Sequence, residues 1–145
     1  MTTTSATETI VKEITINAPA ERVFEALTNP NQRKEWWGSA GRFETTHVAS
    51  DLRIGGKWEM SGTGYGKPFT VKGEYRVIER PRVLAFTWLP SWQVNASETL
   101  VRFDLSEKDG ITTVRVTHSG LSPEGVKAHK GWAQILTWLR MYVEH

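Results

Sequence analysis

From residue 42 to residue 119 the sequence sustains no helical stripe, and this constrains the fold more than any other feature. Apolar and polar residues alternate instead over short segments, at 42–50, 57–61, 69–79, 83–88, 99–106 and 112–119. A period of two is the spacing of a half-buried strand. Gly55-Gly56, Gly62-Thr63-Gly64, Arg80-Pro81 and Asp109-Gly110 separate the segments with turn chemistry. Six strands in succession with short links predict an antiparallel meander. An earlier segment, 9–17, sets Ile10, Ile14 and Ile16 against Glu13, Thr15 and Asn17 and adds a seventh strand.

Helical signals flank this region. Pro19 suits a first helical position, and Val23, Phe24 and Leu27 follow on one face. Asn29-Pro30 ends that helix and opens another, with Asn29 as N-cap, which runs to Trp36-Trp37-Gly38. After Ser122, an N-cap followed by Pro123 and Glu124, a long helix carries Ala128, Trp132, Ile135, Leu136, Leu139, Tyr142 and Val143 on its apolar face. The fold class expected is therefore α+β. A curved antiparallel seven-stranded sheet wraps a long C-terminal helix, with two short helices after the first strand. No linker or repeat divides the chain, so 1–145 reads as a single domain with 1–8 flexible.

Strand parity assigns the inner face: Trp58 with Met60; Val71, Tyr75 and Val77; Leu84, Phe86 and Trp88; Val101, Phe103 and Leu105; Val114, Val116 and His118. One helix, about 10 Å across, is a narrow cover for a sheet of roughly 30 Å. The sheet must curl, the short helices must cover one end, or a gap must remain. Seven tryptophans, five phenylalanines and three tyrosines supply the bulk to fill or line that space.

Composition narrows the function. Without cysteine the chain has no disulfide, thiolate metal site or cysteine nucleophile. His47, His118, His129 and His145 show no metal-ligand spacing, so no metal and no cofactor are expected. A net charge of +2 from scattered single charges offers no basic stripe for nucleic acid. No apolar run approaches the roughly 20 residues of a membrane span, and residues 1–9 lack a signal-peptide pattern, so the cytoplasm is the expected location. Glycines at 62–66 before Lys67 fail as a phosphate loop because Pro68 stands where Ser or Thr should bind magnesium. The segment 62–68 reads as a flexible hairpin loop near a cavity mouth. Glu21 and Glu25 read as solvated, and Asn95-Ala96-Ser97 as a glycosylation sequon without consequence in the cytoplasm.

Several segments together resemble a known family: Ile16-Asn17-Ala18-Pro19 with residues 23–28, Trp36-Trp37-Gly38, residues 51–58, Gly73-Glu74-Tyr75, residues 81–88 and residues 131–136. With the order of elements, they resemble the helix-grip fold of the START/Bet v 1-like superfamily. Within it they resemble bacterial proteins related to the C-terminal domain of the activator of Hsp90 ATPase. That resemblance implies binding of lipids, sterols, polyketides or plant aromatics in a central cavity, where some members catalyse cyclisation or hydrolysis.

Three functions follow as expectations. The first is non-enzymatic binding of an apolar or aromatic small molecule by Trp36, Trp58, Met60, Phe69, Tyr75, Phe86, Trp88, Phe103, His118, Trp132, Ile135 and Leu136. The second is a cavity enzyme, a cyclase or hydrolase, with His118 or Tyr75 as acid or base. The third, chaperone association, is disfavoured because the resemblance covers only one domain of the activator. Ligand identity and oligomeric state stay open.

Overall fold

The computed structural model describes residues 7–38, 42–93 and 96–144. Asn95 of the sequon, His145 and most of the N-terminal stretch expected to be flexible lie outside them. In chain order the elements are β1 (Glu8–Ile16), α1 (Ala20–Thr28), α2 (Pro30–Trp36), β2 (Phe43–Ser50), β3 (Lys57–Gly64), β4 (Lys67–Glu79), β5 (Val83–Pro90), β6 (Thr99–Lys108), β7 (Ile111–Leu121), α3 (Pro123–Ala128) and α4 (Trp132–Val143). The seven strands form one antiparallel sheet in the order β1-β7-β6-β5-β4-β3-β2. The meander holds throughout, and β1 joins it beside β7.

Turn chemistry sets the register. Asp109 and Gly110, with φ of 53° and 79°, make a two-residue turn between the paired Lys108 and Ile111. Two positive φ values give the type I′ turn, whose twist suits a hairpin. Tyr65 and Gly66, at 51° and 84°, do the same between Gly64 and Lys67. The expected flexible loop at 62–68 is thus corrected to a tight turn, and β3 runs three residues beyond its expected end. Between β4 and β5 the register shifts after Tyr75, so Ile78, opposite Leu84, takes the inward place expected of Val77, which pairs with Ala85 instead. Just before this, the backbones close up. A Cβ on Gly73 would stand 1.8 Å from the Thr87 carbonyl oxygen and 2.7 Å from Trp58 Nε1, so only glycine fits.

The caps show how the helices begin. Asn29 Oδ1 accepts from the backbone N–H groups of Asn31 (2.9 Å) and Gln32 (3.2 Å), and Ser122 Oγ accepts from that of Gly125 (3.0 Å). Pro19 is itself the N-cap of α1 rather than its first helical residue. The helix receives its anion from β6, where Glu107 accepts from the Ala20 N–H at 2.7 Å. Glu21 and Glu25 are not merely solvated, for both carboxylates accept from the Arg80 guanidinium.

The long C-terminal helix is interrupted at residues 129–131. His129 causes the break. Its backbone N–H donates to the Val126 carbonyl, while its ring Nδ1 takes the Gly125 carbonyl at 2.8 Å. A continuing α-helix would have used the His129 N–H for that carbonyl. Among the described residues no helix is long and apolar enough to cross a membrane.

Behind the helices the core runs from Phe24 and Leu27 of α1 through Leu84, Val114 and Leu139, all nearly inaccessible. Among the described residues one cation is buried in it. Arg33 of α2 is 4% exposed, and its Nε and Nη2 both donate to the Leu27 carbonyl near the end of α1. The guanidinium lies 5.5 Å from the Trp58 ring centre and 5.8 Å from that of Phe86. Among the described residues no carboxylate comes within ion-pairing distance of it. Burial lowers its pKa, a shift that Tyr75 opposes.

Candidate functional site

Helix α4 makes its closest backbone approaches to β1, α1 and α2, so the β2–β5 half of the sheet is the less tightly covered. There a pocket of about 350 Å³ lies between sheet and helix. Its sheet wall consists of Phe43, Met60, Phe69, Val71 and Trp88, and its back is Trp37, at the end of α2. The opposite wall is a helical stripe, Gly131, Ile135 and Trp138, with Trp132 beside it. Tryptophan faces meet at several angles: Trp37 lies 6.1 Å from both Trp88 and Trp132, and Trp88 lies 5.4 Å from Trp132.

Two contacts cross the mouth. Tyr65 Oη donates to Gln134 Oε1 at 3.3 Å, and Trp92 Nε1 donates to the Ala128 carbonyl at 3.2 Å. Tyr65 holds its position at φ 51°, a left-handed conformation that costs a bulky residue about 1 kcal/mol. Tyr65→Asn is expected to raise stability by about 0.5–1 kcal/mol in urea unfolding, because asparagine tolerates this turn geometry. It should also loosen the mouth, seen as faster quenching of pocket tryptophans by acrylamide. A destabilised variant would mean that the contact to Gln134 outweighs the backbone strain.

The deep end is a closed hydrogen-bond chain. Trp132 Nε1 donates to His118 Nδ1 (3.1 Å), which places the His118 proton on Nε2, where it meets Thr99 Oγ1 (2.7 Å). Thr99 then donates to the Trp88 carbonyl (3.3 Å). Trp88 Nε1 in turn donates to His129 Nε2 (2.9 Å), leaving His129 Nδ1–H for the Gly125 carbonyl. Each histidine thus accepts from one indole and donates once as the neutral ring. Burial, reinforced by His129, lowers the His118 pKa from 6.5 to about 3, and burial lowers that of His129 also.

Of the residues singled out in the sequence, Met60, Phe69, Trp88, Trp132 and Ile135 line the pocket. Trp36, Trp58, Tyr75, Phe86, Phe103, His118 and Leu136 lie behind it in the core. Trp36 is keyed into α1 by donating to the Ala26 carbonyl at 2.8 Å, and Tyr75 Oη is held by Ser50 Oγ at 2.7 Å. Neither acid–base candidate faces the pocket: Tyr75 and His118 are fully buried, and protein partners occupy both His118 nitrogens. Phe43, Lys67, Trp92, His129 and Trp138 line it as well, though nothing in the sequence singled them out as ligand contacts, and so does Trp37, which the sequence left between anchoring a ligand and filling the core. A signal was present for Trp138. The α4 apolar face is wider than one buried stripe, with Leu136, Leu139 and Val143 in the core and Ile135 and Trp138 beside them.

A second hollow lies beside Gly73, around Lys57, Glu59, Lys72 and Glu74. Lys57 pairs there with Glu74 at 2.8 Å, and the hollow gathers no comparable apolar surface.

Solved structures share this architecture. Protein CV1439 from Chromobacterium violaceum is 22% identical with a TM-score of 0.81, over 94% of this chain and 98% of that one. CalU16 from Micromonospora echinospora is 26% identical with a TM-score of 0.71, over 93% and 73%. DynU16, a protein in the dynemicin biosynthetic locus, is 22% identical with a TM-score of 0.73, over 94% of this chain and 47% of that one. No functionally curated protein matches the sequence. Residues 17–144 match the model of the family described as Activator of Hsp90 ATPase homolog 1-like protein. Sequence match and shared architecture agree, and the chain belongs to this family, within the START/Bet v 1-like superfamily.

Proposed function

We propose that the protein binds an apolar or aromatic small molecule in the α4–sheet pocket and does so without catalysing a reaction. The observation that carries this reading is the contrast between the walls and the polar groups behind them. The walls are tryptophan, phenylalanine and aliphatic side chains, while the nearby histidines spend every ring nitrogen on protein partners. A volume of about 350 Å³ is at the small end of ligand pockets. Burial against such walls is worth about 25 cal/mol per Å² of apolar surface, so shape dominates affinity. DynU16 offers a parallel in fold, as a protein in a biosynthetic locus.

The test uses a neutral aromatic probe, N-phenyl-1-naphthylamine, which accepts energy from excited tryptophan. Saturable binding with quenched tryptophan emission is expected. Gly131→Trp should weaken it about tenfold while the circular dichroism stays native. A Cβ at residue 131 meets no heavy atom within 4 Å, and the backbone there has negative φ. Absence of saturable binding, or binding that ignores Gly131→Trp, would defeat the proposal.

A further inference from the structure

The lining is unequal in its charges. Among the described residues, Lys67 is the single charged side chain in it, and no carboxylate contributes. Lys67 is exposed, opens β4 directly after the Tyr65-Gly66 turn, and forms no ion pair among the described residues. Two further exposed cations adjoin lining residues through the backbone without themselves lining the pocket. Arg42 accepts the Tyr65 backbone N–H on its carbonyl at 2.7 Å, and Lys130 lies between the lining residues His129 and Gly131. Glu44 and Glu59 each adjoin a lining residue, Phe43 in β2 and Met60 in β3, and by strand parity both turn to the outer face.

At the other end, the histidines and their two indole partners offer a polar ligand group nothing. The ring nitrogens of Trp88, Trp132, His118 and His129 are all committed to the closed chain. A ligand hydroxyl or carboxylate pushed in among them would lose its water and find no partner, a cost that keeps polar groups out of such places. The pocket therefore imposes a direction: carbon inward, polar group at the rim, and at the rim a positive charge.

We propose that the pocket takes aromatic anions, seating the ring system among Trp37, Trp88 and Trp138 and holding a carboxylate or sulfonate at the mouth with Lys67. This rests on the pocket being a binding site, as proposed above, and adds the class of ligand. An exposed charge pair contributes modestly, so selectivity of severalfold is expected rather than absolute discrimination.

Two dyes with the same aromatic body separate the claims. 1-Anilinonaphthalene-8-sulfonate carries the anion, and N-phenyl-1-naphthylamine lacks it. Lys67→Met should raise the Kd of the sulfonate about threefold, and Lys67→Glu about tenfold, with the neutral dye unchanged. Raising NaCl from 50 to 500 mM should weaken the sulfonate alone. Gly131→Trp should weaken both dyes, which ties the signal to this pocket. Equal response of both dyes to the Lys67 variants, or none from either, would overturn the assignment of an anion subsite while leaving the pocket intact. If neither dye binds, the pocket reading falls and takes this one with it.

Discussion

Acidification from pH 7 to pH 4 is expected to remove about 3 kcal/mol of folding stability through His118 alone. Released from the fold, this histidine takes its proton near pH 6.5; inside the fold it resists until about pH 3. Between those values the unfolded chain holds more protons, so the stability present above pH 6.5 drains away as pH falls. The cause is structural. A proton on Nδ1 would displace the Trp132 N–H, and the charge would lie within a ring contact of His129, 4.8 Å centre to centre. His129 adds a second loss of the same sign, because its lowered pKa also reflects burial. Glu25 and Glu74, held low by Arg80 and Lys57, also lose stability in acid, but only once pH drops below their ordinary 4.5. The window from pH 6.5 to 4.5 therefore isolates the histidines. Urea unfolding at half-unit steps across it should show a steady fall, and a flat profile would mean that these rings gain protons freely in the fold.

Removing Arg33 should be as costly. Arg33→Ala is expected to destabilise by about 3 kcal/mol and to lower Tm by roughly 10 °C. The side chain fills space between Trp58 and Phe86, and its paired donors satisfy the Leu27 carbonyl where α1 runs out of its own N–H groups. A cation there also faces the negative end of the α1 dipole. Arg33→Lys should recover less than half of the loss, since an ammonium cannot reproduce the planar fork or lie flat on the rings. Arg33→Met decides between packing and hydrogen bonding. A methionine variant as stable as the parent would show that burying the charge costs as much as its bonds return.

Much of the architecture was legible because its signals are local. Asn29 and Ser122 announce their caps, Asp109-Gly110 announces its turn, and alternation shows which face of each strand is inside. Alternation does not show depth. His118 and Trp88 share the inner face, yet one sits in the core and the other reaches the pocket, a difference set by where α4 lies across the sheet. Trp36 and Trp37 are neighbours whose roles depend on the angle at which α2 ends. The break at His129 was hidden for another reason: the apolar stripe continues on both sides of it, and only the ring's contact with Gly125 interrupts the backbone pattern. Arg33 was invisible because its burial depends on rings from β3 and β5.

The pairing of β1 with β7 has a consequence for how the chain is made. Ile16 lies opposite Thr112, and the Asn17 backbone N–H ends on the carboxylate of Glu144 at 2.8 Å. On a ribosome adding about 5–20 residues per second, the first strand would wait roughly 5–20 s before its partner strand is synthesised. Throughout that interval Ile10, Ile14 and Ile16 lack their native cover, and the nascent chain depends on the interspersed Lys12, Glu13 and Thr15 to keep it from pairing elsewhere.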